Sequence, residues 1–172
     1  LVDAGCDLLL LETQQDTLNL KASLAGVDEA FTRLGRSVPV VVSVSIESSG
    51  TMLGGQSIDA LYASIQHRDL LALGLNCATG ADFMADHLRM LSGLCRFPTL
   101  CYPNAGMPDE NGKYSDSPAT LAKAIERFCS QGLVNIVGGC CGTTPEHIRL
   151  IAAMAAGVPP RQPARKRPSL VS

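Results

Sequence analysis

Residues 133–147 read LVNIVGGCCGTTPEH. A short apolar run, residues 133–138, enters a glycine-rich turn that carries two adjacent cysteines, and a proline-started helical pattern follows over 145–156. That is the form of one βα unit, and four more stand before it. CDLLLLE (6–12) precedes a helical pattern over 16–34, in which Leu18, Ala22, Ala25 and Val27 share roughly one face. VPVVVSVSI (38–46) leads through a glycine-rich loop to a helix over 57–67. LLALGLN (70–76) precedes a helix over 82–95, and PTLCY (98–102) leads through a proline-rich loop to one over 118–131.

The five runs are nearly continuous in apolar residues, the signature of parallel strands covered on both faces. Repeated βα units admit either a doubly wound sheet or a barrel. A complete (β/α)8 barrel needs ~250 residues. Five units in 172 residues would be the last part of one. Aromatic residues make up 4% of the chain and there is no Trp, so the core must be built from Leu, Val, Ile and Ala. Apolar residues at 46% and charged residues at 17% argue against bulk disorder.

A net charge of −2 provides no electrostatic footprint for nucleic acid. The one basic cluster, Arg161, Arg165, Lys166 and Arg167, sits in the proline-rich segment GVPPRQPARKRPSLVS, and residues 158–172 read as a linker behind a domain spanning 1–157. No apolar run is long enough to span a membrane, and no secretory signal is visible. The chain starts at Leu1 and reads as starting inside an element, as a fragment would. Seven cysteines are an odd number without the spacing of a secreted disulfide framework, so a reducing cytoplasm is expected.

The reactive residues fall at the C-terminal ends of the predicted strands. Glu12 ends the first, Cys77 follows the third, Asn104 lies just past the fourth, and Cys140 and Cys141 follow the fifth. In a parallel barrel those ends converge on one face, where active sites are built. Zinc favours cysteine thiolates, and a catalytic site keeps three protein ligands and one open position. Cys77, Cys140 and Cys141 would supply three. Adjacent residues of a regular strand point to opposite faces, so the pair can share an ion only where the backbone turns, which Gly138, Gly139 and Gly142 permit. Thr143 or Thr144 then caps the next helix, with Pro145 in its first turn. Spacing alone leaves three readings of the pair open: a strained disulfide, two buried small residues, or two metal ligands. Cys6, Cys95, Cys101 and Cys129 fall inside strand or helix patterns and read as core. Glu12 reads as a solvated strand end, as the start of a helix cap or, at the mouth of a barrel beside a metal, as a site for an ammonium group, and Asn104 reads first as a turn residue. His67, His87 and His147 read as surface or capping residues.

LLLLETQQDTLNLKA, LGLNCATGA, YPNAGMPDENGKY and NIVGGCCGTTPEHIR together resemble the homocysteine S-methyltransferase family, over about residues 4–160. The double cysteine marks the family as a whole. The PNAGMP and GKY segments are most similar to the homocysteine-binding domain of its cobalamin-dependent branch, and the basic tail resembles the linker to a folate-binding domain. The resemblance implies a (β/α)8 TIM-type barrel, of which the first three βα units are missing here. It implies a catalytic zinc on Cys77, Cys140 and Cys141, Glu12 as holder of the substrate amino group, and Asn104 as a residue near the metal. It implies transfer of a methyl group to the thiol of homocysteine, forming methionine. The donor would be methylcobalamin on a cobalamin-binding domain. A stand-alone enzyme using S-methylmethionine or betaine is the nearest alternative, and a non-catalytic zinc or redox-sensing module is the alternative of another class.

Overall fold

All five βα units form. The structure, a computed structural model, describes residues 1–164. Arg165, Lys166, Arg167 and the rest of the expected linker beyond residue 164 lie outside the described residues. In chain order the elements are β1 (Leu9–Gln14), α1 (Thr17–Leu34), β2 (Val40–Val44), α2 (Ile58–Ile65), β3 (Ala72–Gly80), α3 (Ala81–Leu94), β4 (Thr99–Asn104), α4 (Pro118–Ser130), β5 (Ile136–Val137) and α5 (Pro145–Ala155). Helix ends follow from local chemistry. Asp16 accepts the Asn19 backbone N–H at 2.7 Å to open α1, and Ser117 accepts that of Thr120 to open α4, with Pro118 in its first turn.

The strands form one parallel sheet in the order β1-β2-β3-β4-β5. A doubly wound sheet reverses its strand order at a switch point and carries helices on both faces. Here the order is sequential. Val42, Val44, Leu73, Leu75 and Cys101 join the buried residues of all five helices in one core, so the helices share one face. The opposite face carries Val41, Ala72 and Leu100, with Tyr102 and Ile136 against them. Towards the strands' C-terminal ends that second face turns polar: Ser43, Ser45, Asn76 and Asn104 are all buried there.

Four expectations need correction. The buried stripe of α1 is Leu20 and Leu24, with Val27 and Phe31 partly buried; Leu18 is 77% exposed, and Ala22 and Ala25 are exposed too. Two stripes of helical period compete on this helix. The one with the larger side chains removes more apolar area from water, so it wins the sheet. Cys6 is not in the core, because β1 begins only at Leu9 and leaves it half-exposed in the preceding turn. Several strand ends shift. β3 continues past residue 76 to Gly80, so Cys77 lies within it, and Asn104 is the last residue of β4. Finally, Arg161 is buried rather than part of a free basic tail. Its guanidinium donates to the carbonyls of Ser92, Cys95 and Phe97 behind the C-terminal end of α3. Cys95, Cys101 and Cys129 are buried as expected. No helix among the described residues is long and apolar enough to cross a membrane.

Two glycine substitutions separate packing from helix propensity. At Gly74 in β3 an added Cβ would sit 1.9 Å from the Leu100 carbonyl oxygen, a backbone atom that cannot swing away. Gly74→Ala is expected to cost about 1–3 kcal/mol by overpacking. Gly26, inside α1, has nothing within 4 Å of such a Cβ, so Gly26→Ala is expected to stabilise by up to about 1 kcal/mol. Thermal unfolding of the two variants, shifting in opposite directions, checks both.

Candidate metal centre

Regular strand geometry cannot bring Cys77 to the site. β3 pairs with β4 in register as far as Asn76↔Tyr102 and resumes only at Gly80↔Asn104. Between them Cys77 and Ala78 adopt left-handed backbone, each with φ of 59°. Non-glycine residues seldom do this, and each such residue costs of order 1–3 kcal/mol. The kink turns Cys77 towards the loop after β5, where Asn76 already points. β1 carries a matching irregularity: its register shifts after Leu11, and Thr13 has φ of 56°.

The loop after β5 is held against the end of β4. The Cys140 N–H donates to the Pro103 carbonyl at 2.9 Å, the Cys141 N–H to Asn104 Oδ1 at 3.1 Å, and the Ala105 N–H to the Cys141 carbonyl at 2.9 Å. Asn104 thus braces the cysteine turn through its side chain. Gly142 closes the turn at φ of 78°, and the Tyr114 ring lies where its Cβ would be. Thr144 then caps α5 together with His147. A backbone N–H only donates and a carbonyl only accepts, so the Thr144 N–H assigns His147 Nδ1 as acceptor and the Asp116 carbonyl assigns Nε2 as donor. His147 is therefore a buried capping residue; His67 is exposed in the turn after α2 and His87 half-buried on α3.

The three sulfurs converge. Cys77 Sγ lies 3.7 Å from Cys141 Sγ, and Cys140 Sγ lies 4.0 Å from Cys141 Sγ. All three lie within 4.8 Å of one another, and all seven cysteines are free thiols. Zinc–sulfur bonds of about 2.3 Å in a tetrahedron put sulfurs about 3.8 Å apart. The donor set therefore fits one zinc ion with a fourth position left over. A disulfide between the adjacent pair and a pair of packed core thiols both fit the spacing less well.

Burial and hydrogen bonding treat the thiols differently. Burial pushes Cys95 up to about 11 and Cys101 up to about 12, which keeps them neutral in the core. Burial also pushes Cys140 up to about 11, against a hydrogen bond from Asn76. At Cys141 burial again raises the pKa, but hydrogen bonding with Tyr114, Cys77 and Cys140 outweighs it and the thiol is lowered. Tyr114 is raised in turn, first by that same contact.

Glu12 is exposed near the end of β1, and among the described residues it makes no ion pair. Its charge helps to raise Tyr102, behind the larger effect of that ring's burial. Glu12 therefore lies near Tyr102 with its side chain exposed. The sequence reading did not single out Asn76, Thr13, Ser43 or Tyr114. The signal for Asn76 was present: a lone amide in an otherwise apolar strand, LLALGLN.

Comparison with known proteins gives consistent relatives. The sequence model of a family described as homocysteine S-methyltransferase matches residues 1–155. A methionine synthase of Mycobacterium leprae (strain TN) is 45% identical over 159 residues, 91% of this chain and 13% of that protein. A methionine synthase of Mycobacterium tuberculosis (strain ATCC 25618 / H37Rv) is 43% identical over 169 residues, 96% of this chain and 14% of that protein. The chain thus spans a small part of the curated relatives it matches. The crystal structure of the apo form of the homocysteine methyltransferase MmuM from Escherichia coli aligns with a TM-score of 0.69 at 28% identity, covering 89% of this chain and 52% of that one.

Metal uptake should be coupled to proton release. With its pKa raised to about 11, the Cys140 thiol holds its proton at neutral pH until an ion displaces it. Zinc affinity is expected to rise with pH between 6 and 8, about tenfold per unit for each proton displaced. Calorimetric titrations in buffers of different ionisation enthalpy count those protons; zero release would contradict a cysteine site.

Proposed function

We propose, because the chain belongs to the homocysteine S-methyltransferase family, that Cys77, Cys140 and Cys141 hold a catalytic zinc ion and that the thiol of homocysteine is methylated there to give methionine. The observation that carries the reading is the convergence of three partly exposed thiols from two strand ends, one donor short of a tetrahedral set. Bound zinc would act as a Lewis acid that keeps the substrate thiol deprotonated at neutral pH. Three cysteinates carry more negative charge than one divalent ion neutralises, so a fourth sulfur placed among them keeps its electron density and remains nucleophilic. Imidazole ligands would leave the site more electron-withdrawing.

The remaining residues bind and orient. Glu12, exposed near Tyr102, would accept the ammonium group of the substrate and aim its side chain towards the cysteines. Asn104, braced on the Cys141 N–H, would border the substrate beside the metal. The sequential, singly wound sheet and the likeness to the Escherichia coli enzyme support a (β/α)8 barrel, of which these would be five βα units. Free thiols throughout suit a reducing cytoplasm.

For the donor we assign methylcobalamin, carried by a separate cobalamin-binding domain of the intact protein alongside a folate-binding domain. The much greater length of the relatives named methionine synthase supports this. The described residues are assigned no part in holding the cobalamin.

Zinc K-edge X-ray absorption tests the centre. The expected result is three sulfurs and one lighter ligand without substrate, changing to four sulfurs when homocysteine is added. Four protein ligands that ignore homocysteine would overturn the catalytic reading in favour of a structural or redox module. Cys140→Ala is expected to remove stoichiometric zinc and to reduce thiol methylation at least 1000-fold, an effect of about 4 kcal/mol on the barrier. Assays with methylcobalamin, S-methylmethionine and betaine as alternative donors decide the donor.

A further inference from the structure

Asn76 is fully buried, one residue before the kink at Cys77. Its side-chain amide is fully engaged. Oδ1 accepts from the Thr13 backbone N–H at 3.2 Å and from the Ser43 hydroxyl. Nδ2 donates to Thr13 Oγ1 at 2.8 Å and to Cys140 Sγ at 3.7 Å. Because a backbone N–H can only donate, the atom facing Thr13 N is the amide oxygen. That settles the amide's orientation and leaves an N–H aimed at the Cys140 sulfur.

Two consequences follow from this one group. Of the three clustered sulfurs, Cys140 alone receives a hydrogen bond from the Asn76 amide, and a donor beside a thiolate withdraws part of its charge. The same amide also grips the backbone N–H and the hydroxyl of Thr13, which sits in left-handed backbone directly after Glu12. Asn76 therefore connects the Glu12–Thr13 turn of β1 to Cys140, which lies 64 residues beyond Asn76 itself. Ser43 from β2 anchors the amide from its oxygen side, and the Ser45 hydroxyl donates to the Asn76 backbone carbonyl at 3.2 Å.

We infer that Asn76 is a positioning residue for the methyl transfer: it ties the Cys140 sulfur to the turn of β1 that carries Glu12, and it tempers the charge on that sulfur. The inference rests on the zinc reading proposed above. A substrate held by its thiol at one end and its ammonium group at the other spans these two points, so Asn76 bears on both the electronic state of the centre and the fit of the substrate.

Asn76→Asp tests this with little change of shape, keeping an acceptor for Thr13 and replacing the N–H facing Cys140 by an oxygen. Cobalt(II) is the probe, because its sulfur-to-metal charge-transfer band reports the sulfur's electron density whatever the catalytic rate. In the folded variant, the band is expected to move to lower energy, cobalt and zinc affinity to fall at least tenfold, and the KM for homocysteine to rise. An unchanged band and affinity in a variant with wild-type circular dichroism would overturn the inference. Should the variant fail to fold, the unmodified chain loaded with cadmium-113 decides: nuclear magnetic resonance should detect through-bond coupling between the Asn76 side-chain amide proton and the metal, and absence of coupling in an assigned spectrum would overturn it. Failure of the unmodified chain to bind cobalt at all would overturn the zinc reading and this inference together, whereas binding with no effect of Asn76→Asp overturns this inference alone.

Discussion

β3 stops being a regular strand at Cys77, and the site depends on that interruption. Successive side chains of a strand alternate between faces. A regular β3 would send Asn76 to the polar face and Cys77 back among the helices. Two consecutive left-handed residues instead turn Cys77 to the loop after β5, where Asn76 already points. The backbone strain, of order 1–3 kcal/mol per residue, is offset locally by the buried hydrogen bonds of Asn76 with Thr13 and Ser43 and of Ser45 with the Asn76 carbonyl. The same amide also holds the third strained residue, Thr13. Strain and hydrogen bonding are concentrated where the chemistry is proposed, while the rest of the sheet pairs in plain parallel register.

The thiols show how environment assigns roles to identical side chains. Cys95 and Cys101 are buried in the apolar core, where loss of water is the largest influence and holds the proton on sulfur, outweighing at Cys95 the Phe97 backbone hydrogen bond and the nearby Arg161 and Arg96. Cys77, Cys140 and Cys141 are only partly buried and face one another across 3.7–4.0 Å contacts. Three thiolates at that spacing repel, so a cation is the natural complement of the cluster. The parallel sheet contributes by placing the converging ends on one side, and the cysteine turn contributes by continuing the hydrogen bonding of β4 beyond β5.

Much of this was legible beforehand. Unbroken apolar runs alternating with helical patterns mark ten elements, and all ten form, the helices close to the expected bounds. The ends were harder, because a strand end is set by its neighbour as much as by its own residues: β5 keeps only Ile136 and Val137, the two residues that pair with β4. The face of α1 was misread because two apolar stripes of equal period lie on it and only the sheet selects between them. Arg161 looked like one charge of a basic tail. Its burial follows from carbonyls left open behind α3, which nothing in the local sequence around position 161 announces.

By itself the sequence determined the alternation of strands and helices, the parallel character of the sheet, and the placing of reactive residues at strand ends, because hydrophobic period and punctuation by glycine and proline are local properties. It also supplied two adjacent thiols in a turn, without deciding what they do. Only the tertiary structure decided that the sheet is wound in one sense, that Cys77 joins the pair, and that Asn76 connects them to the strand bearing Glu12. Those relations lie between residues about 64 positions apart. They depend on a few degrees of freedom, a left-handed kink and an amide's orientation, that are set by contacts across strands and have no periodic signature along the chain.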